Sequence, residues 1–191
     1  FKGKDKLIRI LYPPNKFKNL HKGEKFATDY FGLKYQGITS NFTDWGVYFY
    51  EGHEKALIKY FFNEMDKKKF EYFIDIGANS GSISLPFAKN LKIICFEPLE
   101  YNFQKLINNY SINGLKQKNQ FFKIGLSNKK DVANIYFSDV DENIGTTSLI
   151  KNKNIRHNVI EKVELNTLDN LCDLKNKNII IKIDVEDMKN L

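Results

Sequence analysis

Cysteine is scarce in this chain: only Cys95 and Cys172 occur. Each sits in an apolar context, "KIICFEP" and "LDNLCDL", with neither metal-ligand spacing nor a nearby histidine. Two such residues exclude a disulfide framework and read as buried free thiols of a cytosolic chain. Histidine is equally sparse. His21, His53 and His157 form no HExxH-type motif, so no structural metal is expected. Long apolar runs are missing too. No segment approaches the roughly eighteen apolar residues of a bilayer-spanning helix, and the start, "FKGKDKLIRILYPPNK", lacks a signal peptide's apolar region and cleavage site. A soluble, cytoplasmic protein without a membrane span is expected.

Negative charge falls short of positive: 23 Asp and Glu against 30 Lys and Arg leave a net charge of +7. The lysines are scattered among asparagines rather than gathered in a block, which reads as a solvated basic surface with no nucleic-acid partner. What is present in ordinary amounts is core material, 42% hydrophobic and 14% aromatic residues, so one globular domain is the default. The chain starts at Phe1 and stops at Leu191 within what reads as an element, so it is read as a fragment.

Residues 1–50 carry short β-favouring runs, "KLIRILY", "KFATDYFGLKYQGI" and "WGVYFY", broken by Pro13-Pro14, Gly32, Gly37 and Gly46. They predict two or three antiparallel strands forming a cap. Ala56, Leu57, Tyr60, Phe61 and Met65 then recur at helical spacing and predict a helix over about 52–68. From residue 70 the pattern alternates: "EYFIDIG", the amphipathic "SISLPFAKN", "LKIICFEP", "LEYNFQKLINNYSING", "NQFFKIGLS". Nearly uniform apolar strands between helices predict a doubly wound, mainly parallel α/β sheet. The helix after "DIGANSG" is expected to start near Ser82–Ser84, because Pro86 is tolerable only in its first turn. "DVANIYFSD" predicts an extra strand or hairpin, "EKVELNTLDNL" a strand entering a helical turn capped by Thr167, and "KNIIIKIDVED" the last strand.

Ligands of such sheets bind beyond the carboxyl ends of the strands, where strand order reverses. Three ends here carry polar residues. "DIGANSG" offers Asp75, Gly77 and Gly81, with free N–H groups expected at the helix start. Glu97, twenty residues after Gly77, is placed to accept hydrogen bonds from both ribose hydroxyls. Asp184 follows "IIIKI", across the switch point from Gly77. Nicotinamide dinucleotides and S-adenosyl-L-methionine both fit this layout. The dinucleotide fingerprint needs a second glycine for close pyrophosphate approach, and "GANSG" has Ala78 and Asn79 there. Asp75 suits the ammonium group of S-adenosylmethionine, so the methyl donor is favoured.

In order and separation, "FIDIGANSG", "ICFEP", "KIGLS", "NTLDNL" and "IKIDVE" resemble the FkbM family of S-adenosylmethionine-dependent methyltransferases, over roughly residues 45–191. The resemblance implies a class I, Rossmann-like enzyme that O-methylates a hydroxyl of a sugar, glycan or natural product. It divides the chain into a cap, 1–50, and a methyltransferase domain, 51–191, expected to lack its C-terminal strands. It places Asp75, Gly77, Ala78, Asn79 and Gly81 along the donor's methionine part, Glu97 at the ribose and Ser127 near the adenine or its ribose. Asp184 faces the transferring methyl or the donor's ammonium, and Glu54 approaches the mouth of the site. Asp187 stands where the family has glycine, and Asn170 where it has aspartate.

Asp184 is the first candidate for general base, with His53 and His157 as outsiders; Ser148 reads equally as a ligand contact or a loop hydrogen bond. Two other classes stay open. One is an NAD-dependent oxidoreductase, the other a non-enzymatic basic nucleic-acid-binding module. The acceptor's identity and the oligomeric state are not legible.

Overall fold

A computed structural model describes residues 3–12, 23–138 and 157–185. Ser148, Asp187 and His21 lie outside them, as does the side chain of His157. The first departure from expectation is at the N-terminus, where "KLIRILY" forms helix α1, Lys4–Leu11. Leu7, Ile8, Ile10 and Leu11 fall at helical spacing, and the helix stops at Tyr12 because the residue before a proline is disfavoured in the α region. A hairpin follows, β1 (Lys25–Tyr30) paired antiparallel with β2 (Leu33–Ile38). The third expected strand, "WGVYFY", lies instead on helix α2, Phe42–Tyr50. Its aromatic residues favour a strand, but Asn41 caps the segment by accepting the Asp44 N–H at 3.1 Å, and a capped first turn decides for helix.

Helix α3, Lys55–Lys67, falls within the expected range. The central sheet then forms from β3 (Tyr72–Ile76), β4 (Lys92–Phe96), β5 (Gln120–Phe122) and, last in the chain, β9 (Ile179–Ile183). Its order is β5-β4-β3-β9, and every pairing is parallel. The chain winds outward from β3 through β4 to β5 and returns on the other side of β3. The reversal of strand order therefore lies between β3 and β9, in the Rossmann-like manner expected. Helix α4, Glu100–Ser111, connects β4 towards β5. A second sheet joins β6 (Gly125–Leu126) and β7 (Asp131–Ser138) to β8 (His157–Asn166). The Thr167 hydroxyl accepts the Asn170 N–H and opens the short helix α5, Leu168–Leu171, as expected.

Both faces of the central sheet are covered. On one, Phe73, Ile93, Cys95 and Ile180 share a core with Tyr30, Leu33 and Tyr35 of the hairpin, Val47, Ile58, Leu106 and Tyr110. On the other, Ile74, Ile76, Ile94 and Phe96 pack against Phe122, Leu126, Leu168 and Leu171.

The expected amphipathic helix after "DIGANSG" is replaced by a buried turn with a 3-10 segment at Leu85–Phe87. Residues 80–88 are buried on every side, so no polar face exists for an amphipathic helix to present. Backbone pairing explains the rest. In an α-helix the Ser82 carbonyl would accept from the amide of residue 86, which is proline and has none. The Tyr30 hydroxyl donates to it instead, at 2.9 Å.

Candidate active site

Gly77 ends β3 directly against Asp184, which follows β9. The Asp184 N–H donates to the Ile76 carbonyl at 3.0 Å, and a Cβ on Gly77 would lie 1.9 Å from the Asp184 carbonyl oxygen. With φ at +73° as well, this position admits only glycine. Gly81 has φ +78°, and a Cβ there would meet Leu106 Cδ1 at 2.7 Å. Between them Asn79 holds φ 51°, a conformation asparagine tolerates better than most residues.

Four amides of this turn are spent within the protein. Gly77 and Ala78 both donate to the Phe96 carbonyl at 3.0 Å, Asn79 to Glu97 Oε2 at 2.7 Å, and Gly81 to the Ala78 carbonyl at 2.8 Å. No α-helix starts here, so this turn stands in place of the expected row of helix N-terminal donors. Among buried side-chain atoms here, both carboxylate oxygens of Asp75 and Asn79 Oδ1 lack a hydrogen bond, Asp75 being ion-paired instead. Buried acceptors of this kind are costly unless a donor reaches them.

Sequence reasoning missed Lys182. Strand register puts it beside Asp75, with Cys95 on Asp75's other side. Its Nζ donates to the Gly77 carbonyl at 2.8 Å and forms an ion pair with Asp75 Oδ1 at 3.1 Å. Asp184 Oδ2 is 3.7 Å away. The side chains of Asp75 and Lys182 are 0% and 7% exposed, whereas that of Asp184 is 68% exposed at the mouth. Burial pulls the lysine pKa down, but the negative charges of Asp75 and then Asp184 outweigh it and hold the pKa above the ordinary lysine value. The one available signal was a single lysine inside "IIIKI".

Glu97 is nearly buried. Its carboxylate ties two loops together, accepting from the Asn79 amide and, at 3.1 Å, from the Leu99 amide. Burial raises its pKa above the usual carboxylate range against the opposing pull of those amides. The Asn102 side chain also hydrogen-bonds this carboxylate, whose remaining lone pairs are open to another donor. Glu54 stands at the N-cap position of α3 without a side-chain capping bond, and its charge acts on both Lys182 and the Tyr30 hydroxyl. Ser127 finds its partners at the second sheet: its amide donates to the Asn166 carbonyl at 2.8 Å, its hydroxyl to Asn128 at 3.4 Å. The His53 ring stands edge-on to Phe42 at 4.5 Å. Asp75, Gly77 and Asp184 are thus brought together through Lys182, and Asn79 is joined to Glu97.

A model of the methyltransferase FkbM domain matches residues 75–188, from Asp75 through Glu97 to the segment after Asp184. The chain belongs to this FkbM family. Among solved structures the FkbM chain is similar to a Pyrococcus horikoshii transferase, with 18% identity over 63% of this chain and 46% of that one, at a TM-score of 0.43. It is also similar to a SAM-dependent methyltransferase from Agrobacterium tumefaciens, with 15% identity, 58% and 35% coverage and a TM-score of 0.45. The tRNA m1G37 methyltransferase of M. jannaschii gives 16%, 56% and 32%, at 0.39. The FkbM chain spans less than half the length of each of these. No curated protein matches it. Among the described residues, no helix is long and apolar enough to cross a membrane, and no cluster of side chains could hold a metal ion.

Proposed function

We propose that this chain carries the donor site of an S-adenosylmethionine-dependent methyltransferase acting on a hydroxyl of a sugar, glycan or natural product. The observation that carries the reading is the inverted polarity of the glycine turn. The amides of Gly77, Ala78, Asn79 and Gly81 are occupied, and the acceptors Asp75 and Asn79 Oδ1 are buried there without a hydrogen bond. A pyrophosphate needs donors at such a turn. A ligand bearing an ammonium and hydroxyls needs acceptors, and buried acceptors at this turn support that reading. The family match over residues 75–188 agrees.

The residues present fit the donor. Asp75 and Asn79 would face its methionine part, and the glycines at 77 and 81 keep the turn free of Cβ atoms. Glu97 would take the ribose hydroxyls, with Ser127 nearer the adenine and Glu54 at the mouth. S-adenosylmethionine supplies a methyl group already activated by its sulfonium. The protein's part is to align the acceptor and remove one proton, for which the exposed carboxylate of Asp184 is the candidate base.

Calorimetry with S-adenosylmethionine, S-adenosylhomocysteine and NAD tests the donor class. Binding of the first two without NAD is expected, and NAD binding alone would overturn the reading. Transfer of labelled methyl groups to glycan and RNA pools tests the acceptor. Labelled glycan supports a hydroxyl of that class, and label confined to RNA refutes it.

A further inference from the structure

Lys182 already sits on the acceptors that an amino-acid ligand would use. Its ammonium touches the Gly77 carbonyl at 2.8 Å, Asp75 at 3.1 Å and Asp184 at 3.7 Å. A lysine has three N–H donors, and three acceptors surround this one. If the donor reading above is correct, on which this step rests, the ligand's own ammonium must approach the same carboxylates and meet a like charge.

We infer that Lys182 is a built-in counter-cation that occupies the ammonium's acceptors in the free protein and so weakens the binding of every ligand carrying that ammonium, the demethylated product included. Two features of the site favour this over simple neutralisation of Asp75. A lysine serving Asp75 alone would place its shortest contact on that carboxylate, yet the shortest, 2.8 Å, goes to the Gly77 carbonyl, and Asp75 Oδ1 lies at 3.1 Å. The cation is also shared with Asp184, whose carboxylate lies open at the mouth. Asp75 thus keeps lone pairs for a second donor, and an entering ammonium shifts Lys182 towards Asp184. The consequence for turnover is a site that releases its product readily.

The test compares two ligands that differ in the amino-acid part. S-adenosylhomocysteine carries the ammonium, and 5′-methylthioadenosine shares the adenosine but lacks the amino acid. Their dissociation constants are measured by calorimetry for the unaltered chain, for K182M and for K182Q. K182Q keeps an N–H donor for the Gly77 carbonyl and removes the charge, so it serves even if K182M leaves Asp75 too exposed to fold. The preference for S-adenosylhomocysteine over methylthioadenosine is expected to rise at least about tenfold in the folded variants, as removal of a like charge at this range allows. A preference that is unchanged or lower overturns the inference, because a purely structural lysine weakens both ligands together. If the unaltered chain binds neither ligand, the donor reading itself is what fails.

Discussion

At the scale of single residues, the two turn glycines differ in what surrounds them. A methyl group on Gly77 would collide with backbone, the Asp184 carbonyl oxygen, whereas on Gly81 it would meet the tips of Leu106 and Tyr110 side chains. Both also sit in the left-handed region, which costs a non-glycine residue roughly 1–3 kcal/mol. Gly77→Ala is therefore expected to lose at least about 2 kcal/mol more than Gly81→Ala in urea denaturation, since side-chain tips can move and the β3–β9 junction cannot. Equal losses would show that the junction yields. Glu97 gives a pH-dependent prediction. Its pKa is raised in the free protein by burial, and ribose hydroxyls donating to it favour the ionised form. Binding then lowers that pKa, so affinity for 5′-methylthioadenosine should tighten as pH climbs through Glu97's raised value and level off above it. Glu97→Gln should bind more weakly with a flat profile over that window. A pH dependence that survives in the glutamine variant would remove Glu97 from the ribose.

At the scale of elements, the period of the apolar residues decided what was legible. Strands β3, β4 and β9 and helices α3 and α4 are long, uniform patterns, and they lie where the sequence puts them. Two N-terminal segments depart from their strand-like composition. "KLIRILY" and "WGVYFY" carry side chains that favour strands, but the helical spacing of Leu7, Ile8, Ile10 and Leu11 in the first and the Asn41 cap before the second decide for helix. The segment after Gly81 was misread for a different reason, because its missing helical donor is supplied from 52 residues away by Tyr30. No local pattern contains that information, nor does one reveal that the lysine of "IIIKI" turns inward to Asp75. The Tyr30 contact can be tested as a substitute for a helical hydrogen bond. Tyr30→Phe should cost about 1–3 kcal/mol by leaving the Ser82 carbonyl buried and unpaired. In a Pro86→Ala background the cost should shrink, because the alanine introduced there has an amide to offer that carbonyl; a double-mutant cycle measures the difference. An identical cost in both backgrounds would mean that the hydroxyl does something else.

At the scale of the molecule, the site gathers acids in a chain of net charge +7. Asp75 and Asp184 pair with one lysine, the charge of Glu54 also acts on it, and Asp75 in turn acts on Glu97, which suits a cationic ligand against a basic exterior. The turn that holds them is braced by the N-terminal hairpin, which lies outside the family match. Tyr35 joins its hydroxyl to Ser80 Oγ at 2.6 Å and to Asp44 at 2.7 Å, and Lys105 of α4 reaches the same Asp44 at 2.5 Å. Gln36 donates its amide to Asn109, whose side-chain amide donates in turn to the Ser80 carbonyl. Hairpin, α4 and turn thus share one buried polar network, and such networks break as units. The expected consequence is a single thermal transition, with Trp45 fluorescence reporting the N-terminal region and far-ultraviolet dichroism reporting the whole. A hundredfold excess of S-adenosylhomocysteine over its dissociation constant should add about 2.7 kcal/mol. That amounts to roughly 5–10 °C for a chain of this size, and both signals should move by the same amount. If the Trp45 signal melts first and ignores the ligand, the hairpin is an independent cap, and the brace on the glycine turn is not what shapes the site.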